Sequence, residues 1–273
     1  MGLETPYSTT VLPVAPVAPW LGGKRNLAKR ICAILDATPC VTYAEPFVGM
    51  GGVFLRRDRQ PRAEVINDLS GDISTFFRIL QRHYVAFLEM LRFQITTRAE
   101  FDRLKAVDPA TLTDLERAAR FLYLQATTYG GLREGVFGVR SLQRGRIDVS
   151  RLQPLLEDLH GRLTGVTIER LPFDDLMRRY DHPAALFFID PPYHGIEGLY
   201  GKELFNRDDY NVLIARLRRL RGKFLLTIND KPETRELFAD FVVTPVSFRY
   251  SVARQHTEGK ELIVSSQALV TSS

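Results

Sequence analysis

The sequence predicts an α/β protein built on a doubly wound, Rossmann-like parallel sheet that carries a mainly helical insertion. Three observations carry this. The early chain reads strand, glycine turn, helix, strand and acidic residue, from Val41 to Asp68. The run Ala185-Leu186-Phe187-Phe188-Ile189 is apolar throughout, as a strand covered on both faces requires. Between these halves, apolar residues recur at helical spacing in a stretch too long for a crossover.

Taken in order, residues 1–19 hold Pro6, Pro13, Pro16 and Pro19 and are expected to form an extended arm with no core of its own. Trp20-Leu21-Gly22-Gly23-Lys24 is a glycine turn feeding a helix from about Asn26 to Leu35. Val41 to Phe47 reads as a strand entering the loop Gly49-Met50-Gly51-Gly52, with a helix expected from Val53. Ala63 to Ile66 is a short strand ending at Asn67-Asp68. Helical spacing in Ile73, Phe76, Phe77 and Leu80, and again around Phe121 to Gln125, marks the insertion, which includes a loop rich in Gly, Arg and aromatics from Thr127 to Arg146. Strands are expected at Val166–Glu169, Ala185–Ile189 and Lys223–Ile228, with a helix from Arg207 to Leu220 between the last two. A helix opening near Lys231-Pro232 and a final strand pair, Val242–Phe248 and Glu261–Val264, complete the chain. The expected division is an arm at 1–19, a catalytic domain at 20–72 and 164–273, and an insertion at 73–163.

An apolar share of 45% and a charged share of 25% describe an ordinary soluble globular chain. No stretch suits a bilayer span or a secretory leader. Cys32 and Cys40 supply neither a disulfide framework nor a metal-ligand set, so no metal is expected and a reducing cytoplasm is the simplest compartment. The formal charge of +5 favours phosphate contact, though many proteins with no nucleic-acid role are as basic.

The chemistry concentrates in three places. Asp190-Pro191-Pro192-Tyr193 directly follows the buried strand, where ligands of open α/β sheets bind. Asp190 offers carboxylate oxygens, the Pro191 carbonyl a second acceptor, and Tyr193 a flat face, a set suited to an exocyclic amine on an aromatic ring. The same letters also fit a plain strand-end turn. The loop Glu45 to Gly52 lacks the spacing of a dinucleotide fingerprint and the Gly-Lys-Ser/Thr of a phosphate loop. With Asp68 at the next strand end it can hold a nucleoside by its ribose hydroxyls, or be a tight turn with a capping Asp. Trp20 and Lys24 fit either a ligand wall with a carboxylate partner or a core tryptophan beside a surface lysine.

In this order Trp-x-Gly-Gly-Lys, Glu-Pro-Phe-Val-Gly-x-Gly, Asn-Asp, a long insert and Asp-Pro-Pro-Tyr resemble the Dam-type (D12 class) adenine-N6 DNA methyltransferases, in the variety common in phages and prophages. Gly222 to Asp230 is similar to the family's late strand, and the likeness runs from Trp20 to Val264. The resemblance implies a class I S-adenosylmethionine-dependent methyltransferase sheet with a helical target-recognition insertion, acting on double-stranded DNA with the target adenine flipped out. It implies S-adenosyl-L-methionine as cofactor, held by Trp20, Lys24, Phe47, Gly49, Gly51, Asp68, Phe173 and Asp190. It implies Asp190, Pro191, Pro192 and Tyr193 as the catalytic tetrapeptide. Tyr129, Arg133, Arg140 and Arg144 are the DNA-contact candidates, an Arg-Gly-aromatic loop that fits either a DNA groove or a solvated surface. Arg216, Arg218, Arg219 and Arg221 read instead as a solvated helix face.

Two departures stand out. The family's Asp-Phe pair before the catalytic strand is here Pro172-Phe173, with Asp174 beside it, and Thr127 to Arg133 differs from the Dam pattern, so GATC specificity does not carry over. Cytosine-N4 and glutamine methyltransferases share such a fold but open the tetrapeptide with Ser or Asn. A 5-methylcytosine enzyme needs a thiolate, and neither cysteine sits in a matching motif. A non-catalytic DNA-binding relative is the alternative from another class. Oligomeric state and recognition sequence stay open.

Overall fold

The computed structural model describes residues 8–20, 22–24, 26–129, 135–138, 145–195, 204–252 and 255–266, without the side chains of 248–252 and 255–258. Seven strands form the main sheet: β2 (Thr42–Glu45), β4 (Ala63–Asn67), β5 (Thr167–Glu169), β6 (Ala185–Ile189), β7 (Lys223–Asn229), β8 (Val242–Val252) and β9 (Gln255–Ser265), in the order β5-β4-β2-β6-β7-β9-β8. The first five are parallel. Strand β9 returns antiparallel between β7 and β8. The chain leaves β2 toward β4 and β5, then crosses back to β6 and β7, so strand order reverses between β2 and β6. That reversal opens a crevice at their carboxyl ends, the place where open α/β sheets bind ligands.

Local sequence explains the central strands. All five residues of β6 are buried, and Phe187 and Phe188 each contribute about 1.5–3 kcal/mol by leaving water. Asn67 ends β4 with its side chain buried. Its Nδ2 donates to the carbonyls of Pro46 (2.9 Å) and Leu171 (3.0 Å), and its Oδ1 accepts from Leu171 N (2.8 Å). One amide thus fastens together the chain ends beyond β2, β4 and β5.

Helix α1 (Ala28–Asp36) starts two residues later than the glycine turn suggests. The helix expected from Val53 is absent: a single 3₁₀ turn, Phe54–Arg56, is followed by β3 (Arg59–Pro61). Arg57 accounts for this. Its extended backbone ends the turn, and its guanidinium lies 3.9 Å from the centre of the Tyr43 ring and 2.8 Å from Asp36. The arm is not free of structure either. Strand β1 (Ser8–Thr10) pairs antiparallel with β3, and Val17 and Ala18 are buried.

Between β4 and β5 come α2 (Gly71–Arg82), α3 (Tyr84–Leu91), α4 (Arg98–Ala106), α5 (Asp114–Thr127) and α6 (Val149–Arg162). Helix α5 opens on a capping box, with Thr113 and Glu116 satisfying each other's backbone N–H groups. Phe76, Phe77, Phe87 and Phe121 join the insertion to the same apolar cluster as Tyr43, Ile66 and Leu186 of the sheet. Arg162 at the end of α6 meets Glu64 of β4 through two bonds of 2.6 and 2.8 Å, both side chains almost wholly buried. On the other half lie α7 (Phe173–Tyr180), which the sequence reading did not anticipate, α8 (Asp209–Arg219) and α9 (Pro232–Leu237). Two arginines of α8 are paired: Arg216 with Asp174 and Arg218 with Asp240.

Candidate active site

The crevice is a cavity of about 1270 Å³. The glycine loop after β2 forms one wall and the tetrapeptide after β6 forms the facing wall. Residues 15–20 of the arm and α5 residues Phe121, Leu124 and Gln125 also line it. Trp20, Lys24, Phe47, Gly49, Asp68, Phe173, Asp190, Pro191, Pro192 and Tyr193 therefore share one cavity. Gly51 does not line it. A Cβ there would meet Leu55 Cγ at 2.9 Å, so this glycine serves close packing behind the loop, at a φ of 72°.

Gly49 is the position that shapes the cradle. Its φ is 51°, and a Cβ would lie 2.6 Å from Trp20 Nε1. The lone tryptophan is thus held against the loop backbone, and it also packs on Phe121 of α5 with ring centres 6.5 Å apart. Gly49 N donates to Asp68 Oδ2 at 3.1 Å, and Ser70 N donates to Oδ1 at 3.0 Å. Burial pushes the Asp68 carboxyl up to about 6 despite these two bonds. Phe47, Phe173 and Phe205 meet with ring centres 5.5–5.8 Å apart and make an aromatic flank. Pro172 caps α7 at the cavity, whereas Asp174 is drawn away by Arg216 at 2.6 Å and Arg178 at 2.9 Å, and does not line it.

On the opposite wall, Lys24 reaches across from the first glycine turn. Its Nζ lies 2.7 Å from Asp190 Oδ1 and donates to Tyr193 Oη (2.6 Å) and the Gly22 carbonyl (3.1 Å). It also stands 4.5 Å from the centre of the Tyr193 ring. Thr227 Oγ1 in β7 donates to the same Asp190 oxygen at 2.8 Å. Burial raises the Asp190 carboxyl, while Lys24 and Thr227 pull it back toward the charged form. The hydroxyl of Tyr210 donates to the Pro192 carbonyl. Asn229 holds the next residue, accepting from His194 N at 3.2 Å and donating to its carbonyl at 3.0 Å. Pro191 lines the cavity between Asp190 and Pro192. Glu45 lies beneath the loop, fully buried and bonded by Tyr43 Oη at 2.6 Å; burial, the largest influence, pushes its carboxyl up to about 8.

Sequence reading did not single out Thr227, Glu261, Phe205, Tyr210 or Asn67 as site residues. Only the last had a readable signal, a polar residue closing a buried strand just before Asp68. Tyr129 is exposed beside the Thr128–Phe137 bridge and does not line the cavity. Arg133, Arg140 and Arg144 lie outside the described residues. Arg146 donates to the carbonyls of Ala126 (3.2 Å) and Thr128 (2.9 Å), next to that bridge.

A sheet of this order, with the glycine loop and the tetrapeptide lining one cavity at its switch point, is that of a doubly wound α/β protein with a ligand crevice at its strand ends. The family model for D12 class N6 adenine-specific DNA methyltransferase matches residues 20–252. A DNA adenine methylase of Serratia marcescens is 31% identical over 252 residues, 86% of this chain and 91% of its own. The type II methyltransferase M.CviBI of Paramecium bursaria Chlorella virus NC1A is 24% identical over 238 residues, 86% of this chain and 90% of its own. A DNA N-6-adenine-methyltransferase of Escherichia phage P1 is 27% identical over 251 residues, 86% of this chain but 32% of its own. The chain belongs to the D12 class of N6 adenine-specific DNA methyltransferases. It acts on adenine in DNA, and no helix among the described residues is long and apolar enough to cross a membrane.

Proposed function

We propose that the methyl donor is S-adenosylmethionine and that the acceptor is the N6 amine of an adenine turned out of the duplex. One observation carries this reading: the glycine loop with Asp68 and the tetrapeptide with Asp190 and Tyr193 line a single cavity. The residues present fit the donor. Gly49 lets the Trp20 ring pack against the loop backbone as a wall of the site, and Asp68 is a half-buried carboxylate suited to ribose hydroxyls. Trp20, Phe47 and Phe173 supply apolar and aromatic walls, and Lys24 lines the site beside Asp190. When bound, the donor supplies an electrophilic methyl on a sulfonium.

The rest falls to the chain. The target amine is paired inside a duplex, so the base must leave the stack to reach the cavity. Tyr193 offers it a ring face. Asp190 and the Pro191 carbonyl accept its two N–H bonds, which turns the nitrogen lone pair toward the donor side. Thr227 on β7 fixes Asp190, and Asn229 on the same strand holds His194 just past the tetrapeptide, before the base arrives, so little reorganisation is left for the reaction itself. The arm and α5 narrow the opposite side and limit water. Residues 73–163 form the target-recognition insertion in this reading, with α2 also serving as the crossover between β4 and β5. Exposed Tyr129 is its DNA-contact candidate among the described residues.

Expression in a host that lacks adenine methylation, followed by long-read mapping of modified bases, tests the reading directly. N6-methyladenine at one defined sequence supports it. A genome without modified adenine, from soluble protein that binds the donor in calorimetry, overturns it.

A further inference from the structure

Glu261 lies behind this wall and has no part in the proposed chemistry. It sits on β9 opposite Asn229 of β7 and is 4% exposed. Its Oε2 accepts no hydrogen bond among the described residues, yet it lies 3.8 Å from Lys24 Nζ. Tyr193 hydrogen-bonds the Glu261 carboxylate. Since the phenol oxygen accepts from Lys24, its own proton is the one that goes to Glu261. Lys24, Tyr193 and Glu261 are therefore joined in a chain, with Asp190 on the other side of the lysine.

Lys24 also stands where the target amine must go. Its ammonium sits at the hydroxyl end of Tyr193, 4.5 Å from the ring centre, and holds Asp190 Oδ1, and its three N–H bonds are all committed, to Asp190, Tyr193 and Gly22. A target amine that donates to Asp190 Oδ1 displaces it. A buried ammonium moved off its counter-ion is strongly disfavoured unless another carboxylate takes it. Among the described residues, Lys24 has two carboxylates within 4.0 Å, Asp190 and Glu261. A charge-assisted N–H···O bond spans about 2.7–2.9 Å, so a shift of roughly 1 Å brings the ammonium onto Glu261.

We propose that Glu261 is a positioning residue that receives Lys24 when Asp190 takes the target amine. This rests on the roles given above to Asp190 and Tyr193. The unbonded oxygen of Glu261 is then a landing place held ready beside the site, and the Tyr193 hydroxyl keeps its bond to Glu261 throughout.

The test is a double-mutant cycle on single-turnover methyl transfer, using Glu261→Gln, Lys24→Met and the pair, with donor binding measured by calorimetry on each. Glu261→Gln keeps the shape and removes the charge. It is expected to lower the transfer rate by about 30-fold or more, with donor affinity and the DNA KM within about twofold of wild type. Once Lys24 is gone, the same change is expected to have no further effect. Glu261→Asp keeps the charge but sets it back, and should fall between wild type and Glu261→Gln; it also serves if Glu261→Gln folds poorly. Losses that multiply independently in the cycle would mean a merely structural role and overturn the proposal. So would a Glu261→Gln enzyme within twofold of wild type. A wild-type enzyme that transfers methyl to adenine while the cycle is independent leaves the assigned reaction intact, whereas one that transfers none overturns both.

Discussion

The ammonium of Lys24 lies 2.7 Å from Oδ1 of Asp190, binding the chain's first glycine turn to the strand-end tetrapeptide. Asp190 is thus held by two donors, Lys24 and Thr227, before any ligand is present. Asp190→Ala removes the acceptor that the target amine needs. Methyl transfer is expected to fall by roughly 10²–10³ or more, as for the loss of a preorganised electrostatic group, while calorimetry still detects donor binding. Full activity in this variant would remove Asp190 from the reaction.

Tyr193 offers its ring to the base and its hydroxyl to Lys24. Tyr193→Ala is expected to weaken capture of the extruded base by about 1–3 kcal/mol, the range for one base stacked on one aromatic ring. With 2-aminopurine at the target position, the fluorescence rise seen with wild type should shrink. An unchanged signal would show that the base stacks elsewhere.

Gly49→Ala places a methyl group 2.6 Å from Trp20 Nε1 at a φ of 51°. Both the left-handed backbone and the contact oppose the substitution, so stability should drop by about 1–3 kcal/mol in urea unfolding. Trp20 has to move, and its fluorescence should shift along with a loss of donor affinity. Gly51→Ala is expected to lower stability through Leu55 while leaving the tryptophan signal in place.

Burial lifts Glu45 from 4.5 to about 8 and Asp68 from 3.8 to about 6. In each case the folded value lies above the unfolded one. The protonated folded form therefore contributes stability that is complete below the unfolded value and is lost as pH rises through the folded value. For Glu45 the window runs from 4.5 to about 8. Glu45→Gln cannot ionise, so its stability advantage over wild type should grow across that window, with a slope up to about 1.4 kcal/mol per pH unit. Parallel stability curves would contradict the assignment. Donor binding runs the other way at Asp68, since only the carboxylate accepts from two ribose hydroxyls. Affinity should weaken as pH falls through about 6, and Asp68→Asn should be weak at every pH.

Glu64 receives both Arg162 nitrogens and has Arg57 at 3.7 Å on its other side, all three side chains being 3% exposed or less. Glu64→Leu leaves the buried Arg162 without its carboxylate and Arg57 with Asp36 alone, and is expected to cost about 3–5 kcal/mol. Arg162→Met leaves Glu64 its second cation and should cost less. Chemical unfolding of the two variants ranks them; the reverse order would mean that Arg57 does not compensate.

The sequence by itself determined the layers and the location of the chemistry. A strand buried on both faces, as at Ala185 to Ile189, and helices with one apolar side, as at Ile73 to Leu80, announce themselves through local periodicity. Motif order then brought the glycine loop, Asp68 and Asp190 to strand ends, because parallel strands of one sheet present those ends at one edge. The failures were local conflicts resolved from afar. The helix expected at Val53 gave way to an extended Arg57 bound to Asp36 and Tyr43. The arm was drawn in by β3, and Asp174 was turned from the cavity by arginines that include one on α8.

Only the tertiary structure decided which side chains meet. Lys24, Asp190, Thr227 and Glu261 come from four separate segments, and no spacing in the chain relates them. Their meeting depends on β2 and β6 becoming neighbours and on β9 folding back antiparallel to β7, which sets Glu261 opposite the end of β7. Periodicity reports which face of an element is buried. Strand order, set by the packing of the whole core, determines what that face is buried against.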